Sequence, residues 1–151
     1  MSKHITVLMS VYNAEQFVKS SIKSVLNQTF SEFEFLIIDD GSTDRTEEII
    51  GSFNDSRIIY KKKSHSGLPE SLNYGLSIAT YDWVARMDAD DLAHPLRLEK
   101  QISFMNANPT YQVIASWYSV FANNKIKYNV KSDAKDFKIK QMLTFLFQHF
   151  Y

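Results

Sequence analysis

The chain has 151 residues, enough for one domain with a real core, and its 44% apolar and 23% charged content excludes disordered and fibrous classes. Seventeen basic residues balance seventeen acidic ones, so the basic surplus expected of a nucleic-acid binder is missing. Cysteine is absent, which excludes a disulfide framework, a thiolate nucleophile and a cysteine zinc site.

Ile5–Met9 reads as a buried strand, and Ala14–Leu26 follows with Phe17, Val18, Ile22, Val25 and Leu26 at helical spacing, capped by Asn13. Phe35–Ile38 is a second strand, and Thr43–Ile50 a short helix with Glu47 and Glu48 near its start. Arg57–Tyr60 is a third strand, followed by a polar loop from Lys61 to Gly67 and a helix from Leu68 to Ala79. Trp83–Met87 is a fourth strand that runs straight into Asp88-Ala89-Asp90-Asp91. Strand and helix alternating in this way predict an α/β fold, a mostly parallel sheet with helices on its faces. Ligands of such sheets collect at the carboxyl ends of the strands. The unusual residues of this sequence gather there.

The pattern then changes. Pro95–Asn106 predicts a helix with Pro95 in its first turn. Tyr111–Phe121, an Asn123-Asn124 turn and Lys125–Val130 predict a β-hairpin. Lys135–Phe150 is amphipathic and no stop signal follows it, so the chain reads as a single domain truncated at its C-terminus. Residues 1–107 form its core half, and 108–151 lead toward an absent portion. An uncovered apolar face on the last helix would favour a homodimer. No stretch has the length of an apolar membrane span, and the N-terminus lacks a signal-peptide core, so a cytoplasmic setting is expected.

Three rim segments carry chemistry. The carboxylates of Asp88, Asp90 and Asp91 repel one another unless solvated or neutralised by a cation. Mg²⁺ and Mn²⁺ favour such oxygen ligands and often take one or two protein carboxylates plus substrate phosphates. Alternate residues of an extended segment point the same way, so Asp88 and Asp90 can face one ion. The plainer alternative is a solvated acidic turn before Pro95. In Asp39-Asp40-Gly41-Ser42, one carboxylate can accept hydrogen bonds from a base or sugar, and Ser42 or Thr43 can cap the next helix. In Ser10-Val11-Tyr12-Asn13-Ala14-Glu15, Tyr12 can stack on a base; a capped helix start would look the same. Dinucleotide and P-loop fingerprints are both missing. His94 is more simply a capping or surface residue than a metal ligand. Gly75, inside a helical pattern, implies either close packing or ligand approach.

These segments, with Ser71-Leu72-Asn73-Tyr74-Gly75 and Ala85-Arg86-Met87 between them, resemble glycosyltransferase family 2 in order and spacing. The resemblance implies an inverting enzyme of the GT-A (Rossmann-like) fold, common in bacterial surface polysaccharide synthesis. It implies a nucleotide-diphosphate sugar donor, often a UDP-sugar, with Mg²⁺ or Mn²⁺, and a carbohydrate or lipid-linked acceptor. Carried over, Val11, Tyr12, Asn13, Glu15, Asp39 and Asp40 belong to the nucleoside side, and Arg86, Asp88 and Ala89 line the rest of the donor. Asp88 and Asp90 are the metal ligands. The absent portion would carry any peripheral membrane contact, at the inner face.

One departure stands out. The family's catalytic base lies in a downstream acidic motif, often Glu-Asp. Beyond Asp91 only Glu99, Asp133 and Asp136 remain, none in a matching context, so the catalytic residue is unassigned. The competing readings are a non-catalytic nucleotide-sugar-binding fragment and a sugar nucleotidyltransferase. The latter would need a glycine-rich basic loop that Val11–Lys19 lacks.

Overall fold

The computed structural model describes residues 4–122 and 125–130, in two compact units divided between Phe104 and Met105. In the first, β1 (Ile5–Val11), β2 (Phe33–Asp39), β3 (Ile58–Lys62) and β4 (Val84–Asp88) form one parallel sheet in the order β3-β2-β1-β4. The helices α1 (Val18–Leu26), α2 (Thr46–Gly51), α3 (Leu68–Ile78) and α4 (Arg97–Ala107) alternate with the strands or follow them.

β1 and β2 are interior strands buried on both faces, which is why they read as unbroken apolar runs. One face sends Val7, Met9, Phe35, Ile37 and Met87 against Val18 and Ile22 of α1, Ile50 of α2 and Leu98 and Ile102 of α4. The other sends Leu8, Leu36 and Ile38 against Leu72 of α3. Helices therefore cover both faces, as the sequence pattern predicts.

Helix starts are where expectation and structure part. α1 begins at Val18 rather than Ala14, and Asn13 is not its cap. Asn13 adopts a left-handed φ of 48° and turns its side chain to the neighbouring loop, so the first turn after it is irregular. α2 begins at Thr46, three residues later than expected, because Asp44 rather than Ser42 or Thr43 receives the Thr46 amide, at 2.9 Å. In the second unit, β5 (Tyr118–Ala122) pairs antiparallel with β6 (Lys125–Val130). The hairpin is shorter than the expected strand from Tyr111, since β6 supplies partners only from Tyr118 onward among the described residues. The Asn123-Asn124 turn, the Lys135–Phe150 helix and the dimer contact expected on it lie outside the described residues.

Gly75 is explained by packing. α3 lies so close to the sheet that a Cβ there would stand 2.4 Å from Leu8 Cδ1 and 3.2 Å from Ile38 Cγ1. Gly75→Ala should therefore lower stability by about 1–3 kcal/mol, although alanine is the better helix former. Chemical denaturation would check this; a stabilised variant would mean that α3 can shift outward without loss.

Candidate functional site

Parallel pairing sets Val11 opposite Asp39 and Ser10 opposite Asp88, so three loops emerge side by side at one rim. The loops after β1 and β2 are sewn together by reciprocal bonds. The Asn13 amide donates to Ser42 Oγ (3.0 Å), and the Thr43 amide donates to Asn13 Oδ1 (2.8 Å). The Ala14 amide donates to Thr46 Oγ1 (2.8 Å), the Glu15 amide to Asp44 Oδ2 (3.1 Å), and the Arg45 amide to Glu15 Oε2 (3.1 Å). Asp44 is poised as an acceptor: burial works against its charge, but bonds from Thr46 and from the Glu15 amide outweigh that and lower its pKa. Asn13 and Glu15 thus spend their side chains on the scaffold. Tyr12, between them, stays half exposed at 48%.

Asp39 and Asp40 are both buried, with different tasks. Asp39 is 0% exposed and accepts from the Ser42 amide (2.7 Å) and the Tyr60 hydroxyl (2.7 Å). Burial, then the Asp39 carboxylate, pushes the Tyr60 phenol far above its ordinary pKa and keeps it a donor. Asp40 anchors the loop after β3. Its Oδ1 accepts from Lys63 Nζ (2.5 Å) and the Ser66 amide (3.0 Å), and its Oδ2 accepts from the Gly67 amide (2.8 Å) with His65 Nδ1 at 2.9 Å. Burial would raise its pKa, yet Lys63, Ser71 and the two amides hold it far below the usual carboxylate range. Gly41, at φ 82°, completes the approach: a Cβ there would lie 3.0 Å from the His65 amide nitrogen. No other residue fits so easily.

This anchoring sets the His65 ring 4.2 Å from the Tyr12 ring at 28°, an offset stack at the rim. Sequence reading missed His65 and Lys63 as site residues. The available signal was three lysines followed by Ser-His-Ser-Gly at a strand end, but only the fold shows which carboxylate they meet.

The acidic turn is more open. The Asp91 amide donates to Asp88 O (3.2 Å), closing the turn, and Ser21 Oγ donates to the same carbonyl (3.3 Å). The Asp88 carboxylate is paired with Arg86 (Nη2 to Oδ1, 2.9 Å). Asp90 is exposed, and its carboxylate has no bonding partner among the described residues. Ala89 packs against the core on the α1 side. Lost solvation, then the charges of Asp88 and Asp90, raises the Asp91 pKa, with Arg97 and Arg86 opposing. Arg97 was not foreseen. Its Nη2 donates to Arg86 O (2.8 Å), its Nη1 contacts Met87 Sδ (3.3 Å), and its buried Nε has no partner. Burial lowers its pKa, opposed by Asp91 and Asp88. His94 is a local cap, with Nδ1 accepting the Leu96 amide at 3.2 Å.

The chain is matched over residues 6–150 by a family model described as Glycosyl transferase family 2. The chain belongs to glycosyl transferase family 2. Among relatives, EpsE of Bacillus subtilis, a glycosyltransferase by name, is 38% identical over 121 residues, covering 78% of this chain and 44% of EpsE. An uncharacterized glycosyltransferase of Methanocaldococcus jannaschii is 37% identical over 140 residues, covering 89% of this chain and 48% of the relative. The chain thus spans less than half the length of either relative. Two solved structures share its GT-A architecture. S. aureus TarS 1–349 in complex with UDP has a TM-score of 0.65 at 27% identity, over 70% of this chain and 32% of TarS. The mannosyltransferase PcManGT of Pyrobaculum calidifontis, in complex with GDP-Man and Mn²⁺, has a TM-score of 0.63 at 25% identity, over 70% of this chain and 33% of that one.

The Asp40 anchor yields a pH prediction. Its carboxyl titrates lower in the folded chain than in the unfolded one, so the ionised form stabilises the fold above about pH 4. That contribution fades as pH falls from there toward the depressed folded value. Asp40→Asn should cost about 2–3 kcal/mol at neutral pH and flatten the acid side of the stability curve. Faster amide exchange at Ser66 and Gly67, read by NMR, should accompany the loss.

Proposed function

We propose that this chain carries the donor-binding portion of an inverting, metal-dependent glycosyltransferase that uses a nucleotide-diphosphate sugar, a UDP-sugar in the first instance. The observation that carries the reading is the convergence, at one rim, of the Asp88–Asp91 turn with the exposed Tyr12 ring. The bound UDP and GDP-Man of the two structural neighbours support the donor class.

Tyr12, with the backbone at Val11, is assigned to the nucleobase, because its ring is the exposed aromatic surface of the β1 loop. Asp40 shapes this side by fixing His65 against Tyr12, while Asp39, Asn13 and Glu15 hold the loops. The donor set at the acidic turn fits a hard divalent ion: two carboxylates at D-x-D spacing, with a third, Asp91, next to them. Among the described residues no three acidic or histidine side chains gather into a complete metal cage. An ion that takes one or two carboxylates and completes its shell with substrate phosphate matches that arrangement. Asp88 and Asp90 would hold Mg²⁺ or Mn²⁺, which neutralises charge on the departing nucleotide diphosphate.

In the transfer, the acceptor oxygen forms a bond to the anomeric carbon from the face opposite the diphosphate. The carbon–oxygen bond to phosphate breaks and its electron pair leaves with the nucleotide. The acceptor proton passes to a base that no described residue is assigned to supply. Glu99 is engaged by the Thr29 hydroxyl at 2.5 Å, and Asp133 and Asp136 lie outside the described residues. A role in surface polysaccharide synthesis at the cytoplasmic face, with a carbohydrate or lipid-linked acceptor, follows from the family resemblance alone. No helix among the described residues is long and apolar enough to cross a membrane.

Calorimetry with UDP and Mn²⁺ tests the reading. Wild type should bind UDP in a Mn²⁺-dependent way, and Asp90→Ala should lose at least about 2 kcal/mol of that binding, some thirtyfold. Tyr12→Ala should weaken UDP by about tenfold and leave Mn²⁺ binding alone unchanged, since the stack acts on the base. Metal-independent UDP binding, or an unaffected Asp90→Ala, would sink the assignment.

A further inference from the structure

Two guanidinium groups attend the acidic turn, in opposite ways. Arg97 is partly buried beneath it, with its Nε enclosed, and is bonded to the backbone of β4 through Arg86 O, at 2.8 Å. Arg86 sits on the same strand face as Asp88, two residues before it, and is exposed. Its Nη2 lies 2.9 Å from Asp88 Oδ1 and 3.3 Å from Oδ2, and its Nε 3.1 Å from Oδ1. One guanidinium therefore addresses both oxygens that a divalent ion at Asp88 would use. The pair is open to solvent, with side-chain exposures of 45% and 46%, and ion pairs of that kind are held weakly.

We propose that Arg86 is a resident counter-ion of Asp88 which a divalent ion displaces, and that the released guanidinium then binds the diphosphate of the donor. The inference rests on the donor-site reading above and goes beyond it, because it makes one residue oppose the ion and assist the nucleotide. Without nucleotide, Arg86 and the ion compete for the same oxygens. With a diphosphate present, the guanidinium has an anion of its own, whose oxygens suit its planar fork better than a point charge would. The competition then disappears, and ion and nucleotide each strengthen the binding of the other by the same factor. The charge count agrees: two guanidiniums against three carboxylates leave the turn one negative charge, which attracts a cation and repels an anionic nucleotide until that cation is bound.

The test measures the two affinities separately on the 151-residue chain. Free Mn²⁺ is followed by electron paramagnetic resonance without nucleotide, and UDP by calorimetry at saturating Mn²⁺. Arg86→Met should bind Mn²⁺ alone about threefold more tightly, the competitor being gone, and bind UDP about tenfold more weakly. Arg86→Gln, which keeps most of the stem, should show the same two opposite shifts, so a defect peculiar to the methionine variant cannot mimic them. Affinities that both fall, or both stay, in the two variants overturn the counter-ion role while leaving the donor site standing. A wild-type chain without Mn²⁺-dependent UDP binding overturns both.

Discussion

The register of β1 between its two parallel neighbours is the constraint on which the rest of the site depends. Val11 opposite Asp39 and Ser10 opposite Asp88 bring the ends of three strands level, so the tyrosine loop, the Asp-Asp loop and the D-x-D turn open at the same height. A slip of one residue would turn every strand side chain to the other face. It would exchange Leu8 and Leu36, which face α3, with Val7 and Phe35, which face α1 and α2. The two apolar layers differ in size and shape, so the core itself enforces the alignment. The Asp40 amide donating to Val11 O at 2.9 Å extends the ladder one residue past the strands and carries the alignment into the loops.

At the rim the carboxylates fall into two kinds. Asp39 and Asp40 are withdrawn from water and satisfied by protein donors, and their charge is spent on holding backbone in place. A buried carboxylate is stable only with such partners, because desolvation otherwise penalises the charge heavily. Asp88, Asp90 and Asp91 are held loosely or not at all by protein donors, and lost solvation, then the charges of Asp88 and Asp90, raises the Asp91 pKa. The first kind makes the site rigid. The second leaves it with unspent charge, which is what a cation site requires before its ion arrives.

Much of this was legible from residue order. The apolar runs of β1 and β2 gave away interior parallel strands, and polar clusters directly after them located the rim, because period and punctuation are local properties. What escaped was every contact between loops. Asn13 looked like a helix cap since its sequence position is that of one, yet its partner is Thr43 of another loop, thirty residues away. His65 carried no assigned role in the polar loop from Lys61 to Gly67, because its ring partner, Tyr12, follows a different strand. Arg97 carried no signal of its own within the predicted Pro95–Asn106 helix, and only the close approach of α4 to the end of β4 shows it under the acidic turn. Gly75 had two meanings in sequence, and the distance to Leu8 chooses between them.

The incompleteness of the acidic turn is itself informative on the donor-site reading. A full protein cage would hold an ion whether or not nucleotide were present, and would leave few positions for phosphate oxygens. Two carboxylates at D-x-D spacing cannot fill the shell of an octahedral ion, so the remaining ligands must come from water or from the diphosphate. Exchange of those waters for phosphate oxygens ties the stability of the ion to the presence of its nucleotide. On the same reading the Tyr12–His65 stack would add a ring surface on the base side, where neither ion nor phosphate would contribute. On that reading recognition would divide between a rigid aromatic end, set by the buried Asp40 anchor, and an electrostatic end complete only when the donor supplies its own oxygens.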